Sequence, residues 1–345
     1  MSAPETSPLL FEPILKAKVW GGRRLARYGK KLPQGQMIGE SWEIADLGET
    51  SVSGGGGGEA RSRIASGPLQ GRTLHEAIQL WGARLLGERV LHNERVRQET
   101  GMPEFPLLVK FLDAREHLSV QVHPSPEYAE THEDAHLKTE SWLIVEAEPG
   151  SVIFKGLREG VGPDRLLQAI KSGSVPDVLR AIPAVVGECH TLASGTVHAL
   201  GAGVLVAEVQ TPSDTTFRLY DWTSEYDRPE RELHLAEALA CVDYGRAPSA
   251  GVREPGVTQA VVAETEFYRL RSARLEHRER LGVDVPDAPV VVMSVGGESG
   301  FSAIWRGETT QVPLGSTVLI PAELSGECEL AAWDAPAEVL IAEVL

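Results

Sequence analysis

The chain has 345 residues, 42% of them hydrophobic and 24% charged, a composition ordinary for a globular protein and long enough for two or three domains. Its 49 acidic and 33 basic residues leave a net charge of −16, which argues against a nucleic-acid backbone as the main partner but allows a small anion held by a few placed Lys and Arg. No apolar run approaches the roughly 18 residues of a membrane helix, no signal peptide is visible, and Cys189, Cys241 and Cys328 are too few and too scattered for a disulfide framework, so the expectation is a cytoplasmic protein.

The N-terminal third alternates short apolar runs with turns: residues 9–15, then Val19-Trp20-Gly21-Gly22, then 39–44. Gly54 to Gly58 are consecutive glycines followed by Arg61 and Arg63. With no Lys-Ser/Thr or helix start after them, they read as a connection rather than a phosphate-cradling loop. Between Thr73 and Leu91, apolar residues recur at three and four, with Thr73 as a cap, which predicts a helix. Residues 106–114, 118–123 and 141–147 read as strands, with a polar loop or short helix over 125–137. Residues 163–170 and 175–182 carry a helical pattern. Strand patterns follow at 185–192, 196–200, 204–210 and 215–220, and 235–240 reads as a short helix. A Pro/Gly/Ala-rich linker over about 245–257 precedes short strands to the C-terminus. The expectation is therefore mainly β: sandwich domains with a few helical insertions, at about 73–91 and 163–182. A larger region, 1–244, is followed after the linker by a smaller β-domain, 258–345.

Gln121-Val122-His123-Pro124 is the most informative run. In a strand, Gln121 and His123 point to one face, about 6–7 Å apart, and Pro124 ends the ladder. Glu140 and His198 complete a set of one amide, one carboxylate and two imidazoles, suited to a borderline-soft divalent ion such as Zn2+. His123, Glu140 and His198 are separated by 17 and 58 residues, so only a fold in which separate strands reach one mouth can assemble them. His132 and His136 form an i, i+4 pair in an acidic, polar stretch without an apolar face, which reads as solvated surface. His190 lies near the ligand motifs but has no place in them. Trp42 and Trp142 read as core or pocket-wall aromatics.

Taken in order, several stretches resemble the type I mannose-6-phosphate isomerases, in particular their shorter bacterial form. They are VWGG at 19–22, GESWE at 39–43, PLLVKFLDA at 106–114, LSVQVHP at 118–124 and KTESW at 138–142, then GTVHALG at 195–201, EVQ at 208–210, TTFRLYDW at 215–222 and REL-His234. The resemblance covers roughly residues 8–244. It implies a cupin-type jelly-roll fold and one zinc held by Gln121, His123, Glu140 and His198. It also implies a catalytic Arg218, with Glu208 or Lys138 as the base, a contact of Lys138 with substrate, and a phosphate contact by Lys110. The substrate it implies is a phosphorylated hexose, converted between aldose and ketose by proton transfer between C1 and C2. That chemistry needs a base, a way to move protons between oxygens, and positive charge beside an enediolate. Cys189-His190 departs from the aromatic or aliphatic residues more usual there.

Three rivals share the metal-binding pattern. The first is a cupin isomerase acting on another sugar. The second is a non-haem iron oxygenase, which uses two histidines and a carboxylate but requires neither Gln121 nor the Arg218 segment. The third is a sugar-binding cupin that has lost turnover, against which stand Lys138, Glu208 and Arg218.

Overall fold

The structure, a computed structural model, describes residues 4–50, 56–93, 103–132 and 135–345. Gly54 and Gly55 of the glycine tract, Met1 to Ala3, and residues 133–134 of the polar segment lie outside the described residues. Among those described, strands dominate and no helix is long and apolar enough to cross a membrane. The mainly β, cupin-type expectation holds.

Two sheets face each other around the site. One is six-stranded, in the order Cys189–Leu192, Glu140–Ala147, Val204–Gln210, Leu108–Ala114, Ile14–Gly22, Ile38–Ile44. The other is five-stranded, in the order Leu179–Pro183, Val152–Leu157, His198–Leu200, Val120–Val122, Phe217–Tyr220. Strand alternation divides their side chains. Val120, Val122, Phe154, Ala199 and Phe217 pack outward, against the helix Leu235–Cys241. Their neighbours Gln121, Lys155, His198 and Arg218 therefore face the opposing sheet. In the six-stranded sheet, Val204 and Val206 pack inward with Trp142 and Ile144, while Leu205, Ala207 and Val209 belong to a second core on the outer face. Both faces are covered, so every residue of Val204–Gln210 is buried.

That outer core is shared with the C-terminal sheets. A seven-stranded sheet runs Gln259–Glu264, Tyr268–Leu275, Ala337–Val344, Val290–Gly297, Thr317–Ile320, Leu9–Glu12, Arg63–Ile64. The N-terminal strand thus pairs with a C-terminal one, Leu9 opposite Leu319. A four-stranded sheet completes the sandwich through Phe301, Ala303 and Leu330. The two glycine-bearing motifs near the N-terminus have a steric reason: a Cβ on Gly21 would lie 2.5 Å from the Gly39 nitrogen. The close crossing of those strands brings Trp20, Glu40 and Trp42 to one pocket.

Two expectations need correction. The helix over 73–91 is two helices, Leu74–Trp81 and Ala83–Leu91, broken at Gly82, whose φ is +51°; Thr73 does cap the first, in a reciprocal capping box with Glu76. The pattern at 175–182 gives a 3-10 turn, Val175–Val178, and then an edge strand, Leu179–Pro183. Val175, Val178, Leu179 and Ile182 fit a helical period, but pairing with Val152–Leu157 decides the conformation. That partner strand has no clear sequence signal, because Lys155 and Gly156 interrupt its apolar run. Of the glycine tract, Gly56 to Gly58 have left-handed φ angles and lead into the hairpin strand Gly58–Arg61. Arg61 lies 3.4 Å from Asp46 and takes no part in the pocket.

Lys30 joins the two sandwiches. Its buried ammonium donates to Glu43 Oε2 and to the Gly315 carbonyl, both at 2.7 Å, and Ser41 Oγ donates to Glu43 Oε1 at 2.6 Å. Removing one partner of a buried pair strands the other charge. Lys30→Ala is expected to destabilise the protein by about 3–5 kcal/mol. Urea unfolding checks this, and a loss below about 1 kcal/mol, the range of an exposed pair, would contradict the buried-pair account.

Candidate metal centre and pocket

Strand register sets the site out in two facing rows. Across the five-stranded sheet, Lys155 is opposite His198, His198 opposite Gln121, and Gln121 opposite Arg218. Across the six-stranded sheet, Trp142 is opposite Glu208, Glu208 opposite Lys110, and Lys110 opposite Trp42. Glu140 opens the strand beside Gln210, and His123 follows the strand of Gln121.

Three of the predicted ligands converge: donor atoms of His123, Glu140 and His198 all lie within 4.8 Å of one another, and all three residues are buried. His123 Nε2 is 3.3 Å from Glu140 Oε2, and His198 Nε2 is 3.2 Å from Glu140 Oε1. The other ring nitrogens decide the tautomers. His123 Nδ1 lies 3.1 Å from the Thr215 carbonyl and His198 Nδ1 lies 2.8 Å from that of Thr196. A carbonyl only accepts, so each Nδ1 carries the proton and donates it. In the neutral rings both Nε2 lone pairs then point at carboxylate oxygens that also only accept.

Protonation does not relieve this opposition at His123, where burial first, and the Lys138 charge second, push the imidazole down to about 3. Burial works to raise the Glu140 pKa, yet Lys138 and the two imidazoles hold its carboxyl well below the ordinary range. His123 Nε2 and both Glu140 oxygens lack an aligned hydrogen bond. Two imidazole nitrogens and a carboxylate with lone pairs turned to one point fit a divalent cation, and zinc accepts this donor set. Gln121 is adjacent: its Nε2 donates to His198 Nε2 at 3.1 Å, and a turn of the amide would present the oxygen instead.

Around this centre lies a pocket lined by Lys110, Lys138, Glu208 and Arg218, together with Gln121 and Glu140. Lys138 Nζ is 2.8 Å from Glu140 Oε2. Glu208 accepts from Trp142 Nε1 at 3.3 Å through Oε1, while its buried Oε2 has no aligned hydrogen bond and lies 3.5 Å from Lys110 Nζ. Burial raises the Glu208 carboxyl to about 8, against the opposing pull of Lys110. Lys110 donates to Gln210 Oε1 at 2.7 Å and lies 5.0 Å from the Trp42 ring centre. Arg218 Nη1 donates to the Glu232 carbonyl at 2.5 Å, and its buried Nε has no partner. Burial lowers its pKa to about 10, aided by Arg231, which leaves it cationic at neutral pH.

Some pocket residues carry no assignment from the sequence. Lys18, Trp20, Asp214 and Arg231 line the same space. Arg231 Nε donates to Asp221 Oδ2 at 2.8 Å, so a carboxylate outside the pocket holds a pocket arginine. Its presence in the REL-His234 motif is the only signal. Glu40 also lines the pocket; it accepts from Trp42 Nε1 at 2.6 Å, and its carboxyl falls to about 2, the burial penalty being overcome by Lys18 and Lys110. His132 and His136 are exposed, and His132 stacks on Tyr128.

A model of the family described as phosphomannose isomerase type I, catalytic domain, matches residues 9–141. The mannose-6-phosphate isomerase ManA of Bacillus subtilis is 36% identical over 249 residues, covering 70% of each chain. The crystal structure of the mannose 6-phosphate isomerase from Bacillus subtilis superposes with a TM-score of 0.78 at 27% identity, over 98% of this chain and 99% of that one. A crystal structure of a mannose 6-phosphate isomerase bound with zinc and yttrium shares the fold, with a TM-score of 0.72 at 17% identity over 98% and 100% of the two chains.

Binding a cation to the folded state alone must stabilise it. Adding zinc to chelated protein is expected to raise Tm, and Glu140→Gln, which removes the carboxylate charge, should abolish that rise. Thermal melts with and without zinc check this; an equal rise in the variant would show that the ion binds elsewhere.

Proposed function

The chain belongs to the type I phosphomannose isomerases, and from that membership we propose how its pocket residues divide the work of interconverting mannose 6-phosphate and fructose 6-phosphate. The donor set of His123, Glu140 and His198 fits zinc, which when bound would supply a Lewis acid to polarise the sugar oxygens. Gln121, His123, Glu140 and His198 are its ligands in this reading. Lys138 neutralises part of the Glu140 charge and holds that carboxylate in place.

Glu208 is the better candidate for the proton-transfer base. Lys138 is already engaged by Glu140 at 2.8 Å, whereas Glu208 Oε2 is buried without an aligned hydrogen bond in the pocket wall. Its carboxyl, raised to about 8, lies near working pH, where one group can both take and return a proton efficiently. In the aldose-to-ketose direction Glu208 removes the C2 proton and returns it to C1, while a proton passes from the C2 hydroxyl to the C1 oxygen. Arg218 faces the same pocket and stabilises the negative charge that develops on the enediolate. Lys110, held between Gln210 and Glu208, adjusts Glu208. That placement favours Arg231, a quarter exposed on its side chain, over Lys110 for the substrate phosphate.

The carrying observation is the convergence of His123, Glu140 and His198 beside Glu208 and Arg218 in one pocket. Purified protein is expected to convert mannose 6-phosphate to fructose 6-phosphate, to lose activity on chelation and to regain it with zinc. No turnover by folded, metallated protein would move the reading to another sugar.

Glu208→Gln should lower kcat by about 10²–10⁴, the usual worth of a positioned acid–base group, with zinc content unchanged. Unchanged turnover would remove Glu208 from the role.

A further inference from the structure

Beyond the substrate pocket, the barrel interior contains a second polar group. Lys155 sits one strand outside His198, directly opposite it in register. It alternates with outward Phe154 and shares the inward face of Ile153, which packs in the barrel core. His190 sits one strand outside Trp142, also in direct register, and shares the inward face of Leu192. The rings of Trp142 and His198 meet edge to face across the barrel at 5.4 Å. Lys155 and His190, each displaced by one strand in the same direction, therefore face each other behind that contact.

Both are sealed: Lys155 is 0% exposed and His190 1%. Lys155 Nζ and both His190 ring nitrogens have no hydrogen-bond partner. Glu188 Oε2 lies 3.2 Å from His190 Nε2 but is not aligned to accept from it. Among the described residues, no carboxylate forms an ion pair with Lys155. The other charge acting on it besides Glu188 and the buried Cys189 is cationic Arg180. A buried ammonium with three unused donors requires an acceptor, and Glu188, which acts on it from beside His190, forms no ion pair with it. The neighbouring imidazole, which feels the Lys155 charge, carries an N–H that is a further donor without a partner. Neither residue lines the substrate pocket, so this group is separate from the isomerase site.

We propose that Lys155 and His190 form a buried site for a halide-sized anion, enclosed by the barrel wall one strand away from the metal ligand His198. The anion neutralises Lys155 and accepts hydrogen bonds from both side chains. This accounts for His190 and Lys155, which the isomerase reaction does not use. It stands whether or not the division of catalytic roles above is right.

The test uses the zinc-loaded enzyme in two arms. Crystals transferred from chloride to bromide should show an anomalous peak within hydrogen-bonding reach of Lys155 Nζ and His190. In solution, Tm should rise with chloride when gluconate keeps the ionic strength constant, and Lys155→Met should lose that rise. His190→Phe, which keeps the lysine, should weaken it. The absence of an anomalous peak, or a peak in crystals without a chloride-dependent rise in the wild-type protein, would overturn the proposal. Both decisive measurements use the wild-type chain, so they hold even if a variant fails to fold.

Discussion

Two imidazole lone pairs and one carboxylate, all buried and all turned to the same point, are the constraint around which this molecule is organised. The backbone enforces it. The carbonyls of Thr215 and Thr196 take the Nδ1 protons of His123 and His198, and Glu140 opens the strand across from them. Lys138 offsets only part of the carboxylate charge. Without a cation such an arrangement is electrostatically frustrated, and the rest of the fold keeps the three groups from moving apart. Stability is given up locally so that a metal has a ready site.

That rigidity comes from covering the six-stranded sheet on both faces. Its inner face carries Glu140, Trp142, Glu208 and Lys110. Its outer face packs Leu143, Leu205, Ala207 and Val209 into the core shared with the C-terminal sandwich. Ser141, the residue after Glu140, bonds to Tyr268 of the seven-stranded sheet at 3.1 Å and to Thr191 at 3.0 Å. The C-terminal unit thus backs the strand that carries the metal carboxylate. Leu9–Glu12, which pairs into the same seven-stranded sheet, makes the first strand of the chain part of that support.

Electrostatics inside the barrel follow from its low polarity. Burial is the largest influence on Glu208, His123, Lys155 and Arg218 alike, and in each case it disfavours the charged form. The neighbours then separate the outcomes. Glu140 and Glu208 are carboxylates in one pocket, yet Lys138 and two imidazoles hold the first ionised while the second rises to about 8. Two identical functional groups acquire different chemical roles from their surroundings.

Much of this was legible in the amino-acid order. Gln121 and His123 declare a shared face because strand side chains alternate with period two. Val204 to Gln210 is a strand with the boundaries its pattern predicts. The motifs around Glu140, His198 and Arg218 carried the family and the ligand types. Local pattern failed where tertiary pairing overrode it: Leu179–Pro183 is strand despite a helical period, and Lys155 disguised the strand beside it. The sequence by itself determined the residue types, the alternation that sorts them to one face, and the family. The tertiary structure decided which distant residues meet, as with Arg231 in the pocket and Lys155 facing His190. Register between strands and burial of charge are properties of the packed sheets, and no local stretch of chain encodes the neighbour that will stand across from it.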